Sequence, residues 1–316
     1  MSTYLVTGGA GFIGSHIVDE LVRRGEKVRV LDNFTTGKRE NLALAASRAR
    51  DAIDVIQGDI QDWGAVQRAV HDVDYVLHEA ALASVPQSIA DPLQTNQVNV
   101  AGTLNVLLAA RDAGVKRLVF AGSCAVYGNN ASLPLRETDA PQPLSPYAAS
   151  KLAGESYCRA FLQAYGLPTV VLRYFNVFGP RQDPASEYSA VIPKFITALL
   201  RDRPPTIYGD GAQSRDFVSV ANVVQANLLA CEREQAIGQV INVGCGEQYT
   251  LLDLHGQLID LTHKNLSPVF APARAGEVKH SRAAIDTATQ VLGYKPEITW
   301  QEGLRRTLTW YADHLV

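Results

Sequence analysis

Thr7-Gly8-Gly9-Ala10-Gly11-Phe12-Ile13-Gly14-Ser15-His16 follows a strand-forming run at 4–7 and opens a helical pattern over 14–24. Gly8, Gly11 and Gly14 space as G-x-x-G-x-x-G. Glycines at such a turn permit a tight reversal, let a pyrophosphate approach the backbone, and let the helix pack close to the strand. The N–H groups at the helix N-terminus face an anion at the positive end of the helix dipole, and Phe12 and Ile13 of the turn count with the glycines among the expected cofactor residues. A lone glycine pattern is weak, but here a strand precedes it, a helix follows it, and Asp32 ends the second strand-like run at 27–31. Asp32 suits hydrogen bonds from an adenosine ribose and repels a 2′-phosphate, which favours NAD over NADP. Lys38 and Arg39, a few residues on, keep NADP open. Asn33 stands beside Asp32 among the expected cofactor residues. Asp59-Ile60, after the third strand, reads either as a bracket for the adenine or as an ordinary loop.

Outward from that turn, short β-branched runs at 52–57, 74–78, 117–122 and 169–173 alternate with helical patterns at 62–70, 97–113 and 146–165. Strand–helix alternation with continuous apolar strands implies a doubly wound, Rossmann-type α/β fold with a parallel sheet covered on both faces. Ligands of such sheets bind outside the carboxyl ends of the strands. The rhythm breaks after Arg173, where prolines, glycines and charges accumulate. A further helix and strand at about 216–243 are expected to rejoin the first sheet. The expected organisation is a dinucleotide-binding domain over 1–176 plus about 216–243, and a smaller discontinuous lobe from about 177–215 and 244–316.

The 316 residues, 47% hydrophobic and 19% charged, suffice for such a two-lobed globule. A net charge of −3 offers no basic field to nucleic acid or anionic lipid. Cys124, Cys158, Cys231 and Cys245 lie far apart without a C-x-x-C pair, so reduced thiols are expected rather than disulfides or a metal site. Met1-Ser2-Thr3-Tyr4 carries no basic or apolar leader, and no apolar run approaches the roughly 20 residues of a membrane span. The expectation is a cytoplasmic protein without membrane or nucleic-acid partners.

Chemistry concentrates in Ser145-Pro146-Tyr147-Ala148-Ala149-Ser150-Lys151. Ser145 suits an N-cap and Pro146 the first helical position. Tyr147 and Lys151 are then i, i+4 neighbours on one helix face. An ammonium near a phenol stabilises the phenolate and draws its pKa from about 10 towards neutrality, as a general base requires. Ala121-Gly122-Ser123-Cys124-Ala125-Val126-Tyr127-Gly128 leaves the preceding strand, so Ser123 should emerge on the same carboxyl edge and relay a proton. Cys124 is the rival nucleophile, but no partner histidine is evident, and a packed thiol fits better.

Taken together, the glycine turn, Asn99-Val100-Ala101-Gly102-Thr103, Ser123, Tyr147 and Lys151 resemble the extended short-chain dehydrogenase/reductase family over essentially the whole chain. The resemblance implies an NAD-bound enzyme with a Ser–Tyr–Lys catalytic set. His78-Glu79-Ala80-Ala81 is similar to a variable loop of the family, with Ala80 counted at the cofactor and His78 as structural. Arg173-Tyr174-Phe175-Asn176-Val177-Phe178-Gly179-Pro180 resembles the entry to the substrate lobe of nucleotide-sugar enzymes, implying that Asn176 contacts a diphosphate. By the same similarity, Ala190-Val191-Ile192-Pro193 lies along a uracil through Val191. Arg215, in the loop from Gly209 to Phe217, and Arg274 grip the diphosphate, and Glu277 holds the uridine ribose. Two guanidinium groups on one diphosphate are chemically sensible donors.

Within that family, dehydratases typically carry Asp-Glu where Cys124-Ala125 stands, and decarboxylases a Glu at the second position. The resemblance therefore points to UDP-sugar 4-epimerases. Ala81-Leu82-Ala83-Ser84-Val85-Pro86-Gln87-Ser88 is similar to those preferring N-acetylated UDP-hexosamines, with Ser84 at the substrate. Ser281 stands where a bulky tyrosine excludes the acetamido group in some relatives. Asp183-Pro184 is expected to repel a uronate. The implied ranking is UDP-N-acetylhexosamine, then UDP-hexose, then UDP-glucuronate; dehydratase and decarboxylase chemistry are the other enzyme readings. A non-catalytic NAD sensor, the reading from another class, would be expected to lose Tyr147 or Lys151. The resemblance also implies a homodimer through the helices at 97–113 and 146–165. The apolar faces of those helices, with Leu104, Leu108, Leu152 and Phe161, equally fit packing within one chain.

Overall fold

The computed structural model describes residues 1–130, 132–184, 191–273 and 278–314. Seven parallel strands form the central sheet: β1 (Thr3–Thr7), β2 (Lys27–Asp32), β3 (Ile53–Gln57), β4 (Tyr75–His78), β5 (Arg117–Ser123), β6 (Thr169–Tyr174) and β7 (Val240–Val243). Their spatial order is β7-β6-β5-β4-β1-β2-β3. β1 pairs with both β2 and β4, so the chain reverses its direction of travel across the sheet at β1. That reversal opens a crevice at the carboxyl edge, where ligands of such sheets sit.

Two apolar cores cover the faces. One joins Val6, Ile17, Val30 and Leu172 to Val223 and Leu228 of the helix Val220–Glu232. The other joins Leu5, Val76, Leu118 and Phe120 to Val106, Leu107 and Phe161 of the helices Thr103–Asp112 and Pro146–Tyr165. The fold is therefore the doubly wound Rossmann type, and Val220–Glu232 with β7 returns the chain to the first sheet. The helical pattern at 97–113 forms a wider π-type turn over Gln97–Gly102 before regular helix begins at Thr103.

A third core gathers Phe178, Phe195, Ile207, Phe217, Leu254, Trp300 and Leu304. Trp300 stacks on Tyr249 with ring centroids 4.6 Å apart and on Phe217 at 5.0 Å. These residues come from before and after the segment that returns to the sheet. Leu104 and Leu108 pack against the second core, Phe161 lies inside it, and Leu152 packs beside Val126 and Tyr127. Packing within one chain therefore accounts for that apolar face. No helix among the described residues is long and apolar enough to cross a membrane.

Candidate active site

Ser123 is the last residue of β5, and Tyr147 and Lys151 occupy the first two turns of the helix Pro146–Tyr165. The Ser145 hydroxyl caps that helix by accepting from Ala148 N at 3.1 Å, and Pro146 takes the first position, where its missing N–H costs nothing. Gly166, in the left-handed region at φ 71°, ends it. The helix is seated on the strand by Lys151, whose Nζ donates to Ala121 O at 2.8 Å and lies 5.1 Å from the centre of the Phe120 ring. Ser123 is near enough to Tyr147 to lower its phenol's pKa, and Ser123 Oγ accepts from Ala125 N at 3.2 Å. The three residues expected from the sequence converge on the carboxyl edge.

Burial shifts both ionisable members of this group towards neutrality. Desolvation lowers the Lys151 ammonium to about 8, against the attraction of Glu79 and Glu155. Desolvation raises the Tyr147 phenol to about 12, against the hydrogen bond from Ser123. The expected approach of Tyr147 to neutral pH is thus not achieved by the protein's own groups, because the cost of burying a phenolate exceeds what they return. The Cys124 thiol is likewise pushed up to about 12 by burial, which leaves it a poor nucleophile. His78 is wedged between Thr7 Oγ1 at 2.7 Å and Thr103 Oγ1 at 3.0 Å, and burial holds it neutral, with its pKa lowered to about 3. It is structural.

Across the crevice, the helix Phe12–Arg23 starts two residues earlier than its pattern suggests, with Gly11 as an N-cap that provides no side-chain hydrogen bond. Its first-turn N–H groups are left to an external acceptor, as a pyrophosphate site needs. The turn tolerates nothing larger than glycine: a Cβ on Gly14 would lie 2.3 Å from Gly8 O, and one on Gly8, at φ +67°, would lie 2.8 Å from Ala80 N. Asp32 is buried and accepts from Ala10 N at 2.9 Å and Phe34 N at 2.8 Å, holding its carboxylate at the end of β2. Asn33 Nδ2 donates to Asp59 at 2.7 Å, and Ile60 packs beneath. Lys38 pairs with Asp183 at 3.1 Å, while Arg39 lies over the Phe34 ring and donates to Gln57. Both cations that kept NADP open have partners here, so the donor set fits NAD.

Against the third core lies a cavity of about 240 Å³ lined by Asn176, Val191, Lys194, Tyr208, Gln213, Arg215 and Phe217, among others. Arg215 lies on the short strand Ser214–Arg215 and donates to Ser214 O at 2.9 Å and Lys279 O at 3.1 Å. Its charge acts on Cys124, the residue after Ser123, which turns the guanidinium side of the cavity towards the carboxyl end of β5. Ser281 is buried, donates from its N to Ser214 O at 3.1 Å, and brings its hydroxyl to 3.5 Å from Asn176 Oδ1. Ser84 caps the short helix Val85–Ala90 by accepting from Gln87 N. Arg274, Glu277 and Ala190 lie outside the described residues.

Three features were not evident from the sequence. Lys194 adds a second cation to the cavity, and its place in an ordinary amphipathic helix gave no cue. Asp183, expected to face a sugar carboxylate, pairs with Lys38 beyond the end of β2 instead. Glu79, inside the variable loop, is a half-buried carboxyl that accepts from Tyr174 OH at 2.7 Å and acts electrostatically on both Lys151 and Tyr147.

Residues 4–244 match the profile of the NAD dependent epimerase/dehydratase family. A solved structure described as UDP-N-acetylglucosamine 4-epimerase from Methanobrevibacter ruminantium M1, in complex with UDP-N-acetylmuramic acid, superimposes with a TM-score of 0.94 at 43% identity, covering 99% of this chain and 98% of that one. A Thermus thermophilus UDP-glucose 4-epimerase solved with NAD gives a TM-score of 0.88 at 39% identity, covering 99% of each chain. A putative UDP-glucose 4-epimerase of Methanocaldococcus jannaschii is 38% identical over 316 residues, spanning 98% of both chains. With a family match over most of its length and a dinucleotide crevice of matching chemistry, the chain belongs to the NAD dependent epimerase/dehydratase family, and its cofactor is NAD.

Proposed function

We propose that this chain is a UDP-sugar 4-epimerase that interconverts UDP-N-acetylglucosamine with UDP-N-acetylgalactosamine, and UDP-glucose with UDP-galactose. The observation that carries this reading is the pairing of the Ser123–Tyr147–Lys151 group with a cavity holding Arg215 and Lys194, whose Arg215 acts on Cys124 beside Ser123. A nucleotide diphosphate anchored by those cations leaves its sugar at Tyr147. The 1–176 plus 216–243 portion is the NAD-binding domain in this reading, and the remainder is the sugar-nucleotide lobe. Gly8, Gly11, Phe12, Ile13 and Gly14 hold the pyrophosphate, Asp32 and Asn33 the ribose, Asp59 and Ile60 the adenine, and Ala80 with Lys151 the nicotinamide end.

When bound, NAD supplies the centre that accepts hydride from the sugar C4 and returns it. Tyr147 takes the C4 hydroxyl proton and later gives one back, and Ser123 orients and relays it. Lys151 keeps a positive charge beside the phenol, favouring the phenolate that burial alone disfavours. Arg215, Lys194 and Asn176, with Arg274 and Glu277, grip the nucleotide, while the keto-hexose is held loosely enough to turn and present its other face. Firm anchoring at the diphosphate confines the reacting carbon through the rotation. The small Ser281 beside Asn176, with Ser84 and Ala83 at the loop after β4, leaves room for an acetamido group, which places the N-acetylhexosamines first.

Side-by-side conversion of UDP-N-acetylglucosamine and UDP-glucose, with products resolved by NMR, tests the reading. C4 epimers of both, with the larger kcat/KM for the acetamido sugar, are expected. NAD-loaded protein that epimerises neither would overturn it. A UDP-glucuronate epimerase is the second reading, supported by one observation: the carboxylate of Asp183 is paired with Lys38 at 3.1 Å, which offsets the charge expected to repel a uronate.

A homodimer is part of the same proposal. Its support is the exposure of Ile89 (63%) and Leu93 (76%) on the short helices Val85–Ala90 and Pro92–Asn96, packed beside the helix Pro146–Tyr165. Light scattering showing a stable monomer would remove it.

A further inference from the structure

Glu79 follows directly on β4, and its carboxylate is fixed from two strands away. The donor is the hydroxyl of Tyr174, the last residue of β6, at 2.7 Å. A phenol has one proton to give, and the surroundings decide where it goes. Asn227 Nδ2, on the helix Val220–Glu232, donates to the Tyr174 oxygen at 2.7 Å and to Val223 O at 2.9 Å. Asn227 Oδ1 also lies 3.0 Å from the Tyr174 hydroxyl, but the carboxylate at 2.7 Å is the closer and stronger acceptor, so the chain of donors runs Asn227 to Tyr174 to Glu79. Tyr174 also stands opposite Ser123 in the parallel ladder of β5 and β6, so the tether is anchored in register with the Ser–Tyr–Lys group.

The ionisable groups acting on Glu79 are Tyr174 from β6 and Lys151 and Tyr147 from the long helix. Its neighbour His78 is turned away, held neutral between Thr7 and Thr103. A negative Glu79 draws the Lys151 ammonium towards its charged form and repels a Tyr147 phenolate. Burial lifts the Glu79 carboxyl to about 7, so its charge changes within the working range of pH. A side chain serving packing alone would not need an ionisable group held by a directed hydrogen-bond chain beside two proton-handling residues.

We propose that Glu79 is a positioning residue: tethered by Tyr174 and Asn227, its carboxylate sets the charge balance between Lys151 and Tyr147 and so the pH at which the reacting phenol ionises. The proposal rests on the 4-epimerase reading for its kinetics but not for its spectroscopy. The informative substitution is Glu79→Gln, which keeps an acceptor for Tyr174 and removes the charge.

The test uses NAD-loaded protein. Tyrosinate absorbance is followed against pH in the wild type and in Glu79→Gln, each corrected by subtracting the matching Tyr147→Phe protein. The acid limb of kcat/KM for epimerisation is recorded in parallel. Removing a nearby negative charge should move the Tyr147 midpoint and the acid limb to lower pH by about half a unit to one unit. Glu79→Asp, which restores the charge, should move both back towards the wild type. If Glu79→Gln does not fold, Tyr174→Phe serves, because loss of the donor disfavours the charged carboxylate and shifts Tyr147 in the same direction. Superimposable profiles, with or without a uniform change in activity, would overturn the proposal. Absence of epimerase activity in the wild type would instead sink the functional reading and leave the absorbance shift to decide this one.

Discussion

Lys151 Nζ donates to the carbonyl oxygen of Ala121 at 2.8 Å, two residues before Ser123 on the same strand. One contact thus seats the helix bearing Tyr147 and fixes a cation at the edge where Ser123 emerges. The strand carbonyl takes one of the three ammonium protons and leaves two for other acceptors. Replacing Lys151 with methionine preserves much of the buried stem and removes the charge. Lowering of kcat/KM by about 10²- to 10⁴-fold is expected, the usual worth of a positioned acid–base group, with the protein still folded. Because the ammonium is lowered to about 8, the charge is present below that pH and lost above it. Wild-type kcat/KM should therefore fall on a basic limb near pH 8. Steady-state kinetics across pH 6–10 checks both outcomes.

Arg215 is held by two backbone carbonyls, Ser214 O and Lys279 O, so its guanidinium plane is set before any ligand arrives. Planarity and a fixed fork of donors are what lysine lacks. Arg215→Lys keeps the charge but loses the fork and the carbonyl braces. A rise in the Kd for UDP of about 10- to 100-fold is expected, on the scale of one or two charge-assisted hydrogen bonds. Calorimetry with UDP alone isolates this from catalysis; an unchanged Kd would remove Arg215 from the nucleotide grip.

Features encoded by neighbours in sequence were legible before the fold was known. The glycine turn, Asp32 closing β2 and the Ser145-Pro146 start each rest on residues a few positions apart, where backbone rules act directly. Features that depend on strands meeting across the sheet were not. Glu79 and Tyr174 are 95 positions apart and separated by β5, and the loop around Glu79 has no pattern marking a tethered carboxyl. The ion pair of Asp183 with Lys38 is hidden for the same reason, since the two lie far apart in the sequence. Helix spacing shows a cation near Tyr147 but not the desolvation that opposes it.

Gly154 is another position whose meaning only the fold supplies. It lies on the long helix three residues beyond Lys151, and a Cβ there would sit 2.3 Å from Phe120 Cζ, the ring beneath the Lys151 ammonium. In an isolated helix, glycine to alanine would stabilise by about 1 kcal/mol. Here the buried ring has little freedom to retreat, and overpacking costs about 1–3 kcal/mol. Gly154→Ala should lower stability despite better helix propensity, and reduce kcat by displacing Lys151. Chemical denaturation of the variant measures the sign directly.

Asp216 clamps three segments of the chain. Its Oδ1 accepts from Cys245 N at 2.7 Å, and its Oδ2 from Gly246 N at 2.9 Å and Ala283 N at 3.1 Å. Burial raises its carboxyl to about 6, outweighing the three donors that oppose the shift. The folded state thus holds this proton to higher pH than the unfolded state, whose carboxyl releases it near 3.8. Linkage fixes the sign: the contribution of this group to stability is greatest below about pH 4 and is lost as pH rises through 6. The change is on the order of 2–3 kcal/mol over that window. Asp216→Asn replaces one acceptor oxygen with a donor, leaves a buried backbone N–H without its partner, and should destabilise by about 1–3 kcal/mol even at low pH. It also removes the titration, so the stability gap between the wild type and Asp216→Asn should narrow between pH 4.5 and 7. Thermal melts of both proteins across that range read the gap; a gap that widens with pH would show that the three N–H donors, not burial, govern this carboxyl.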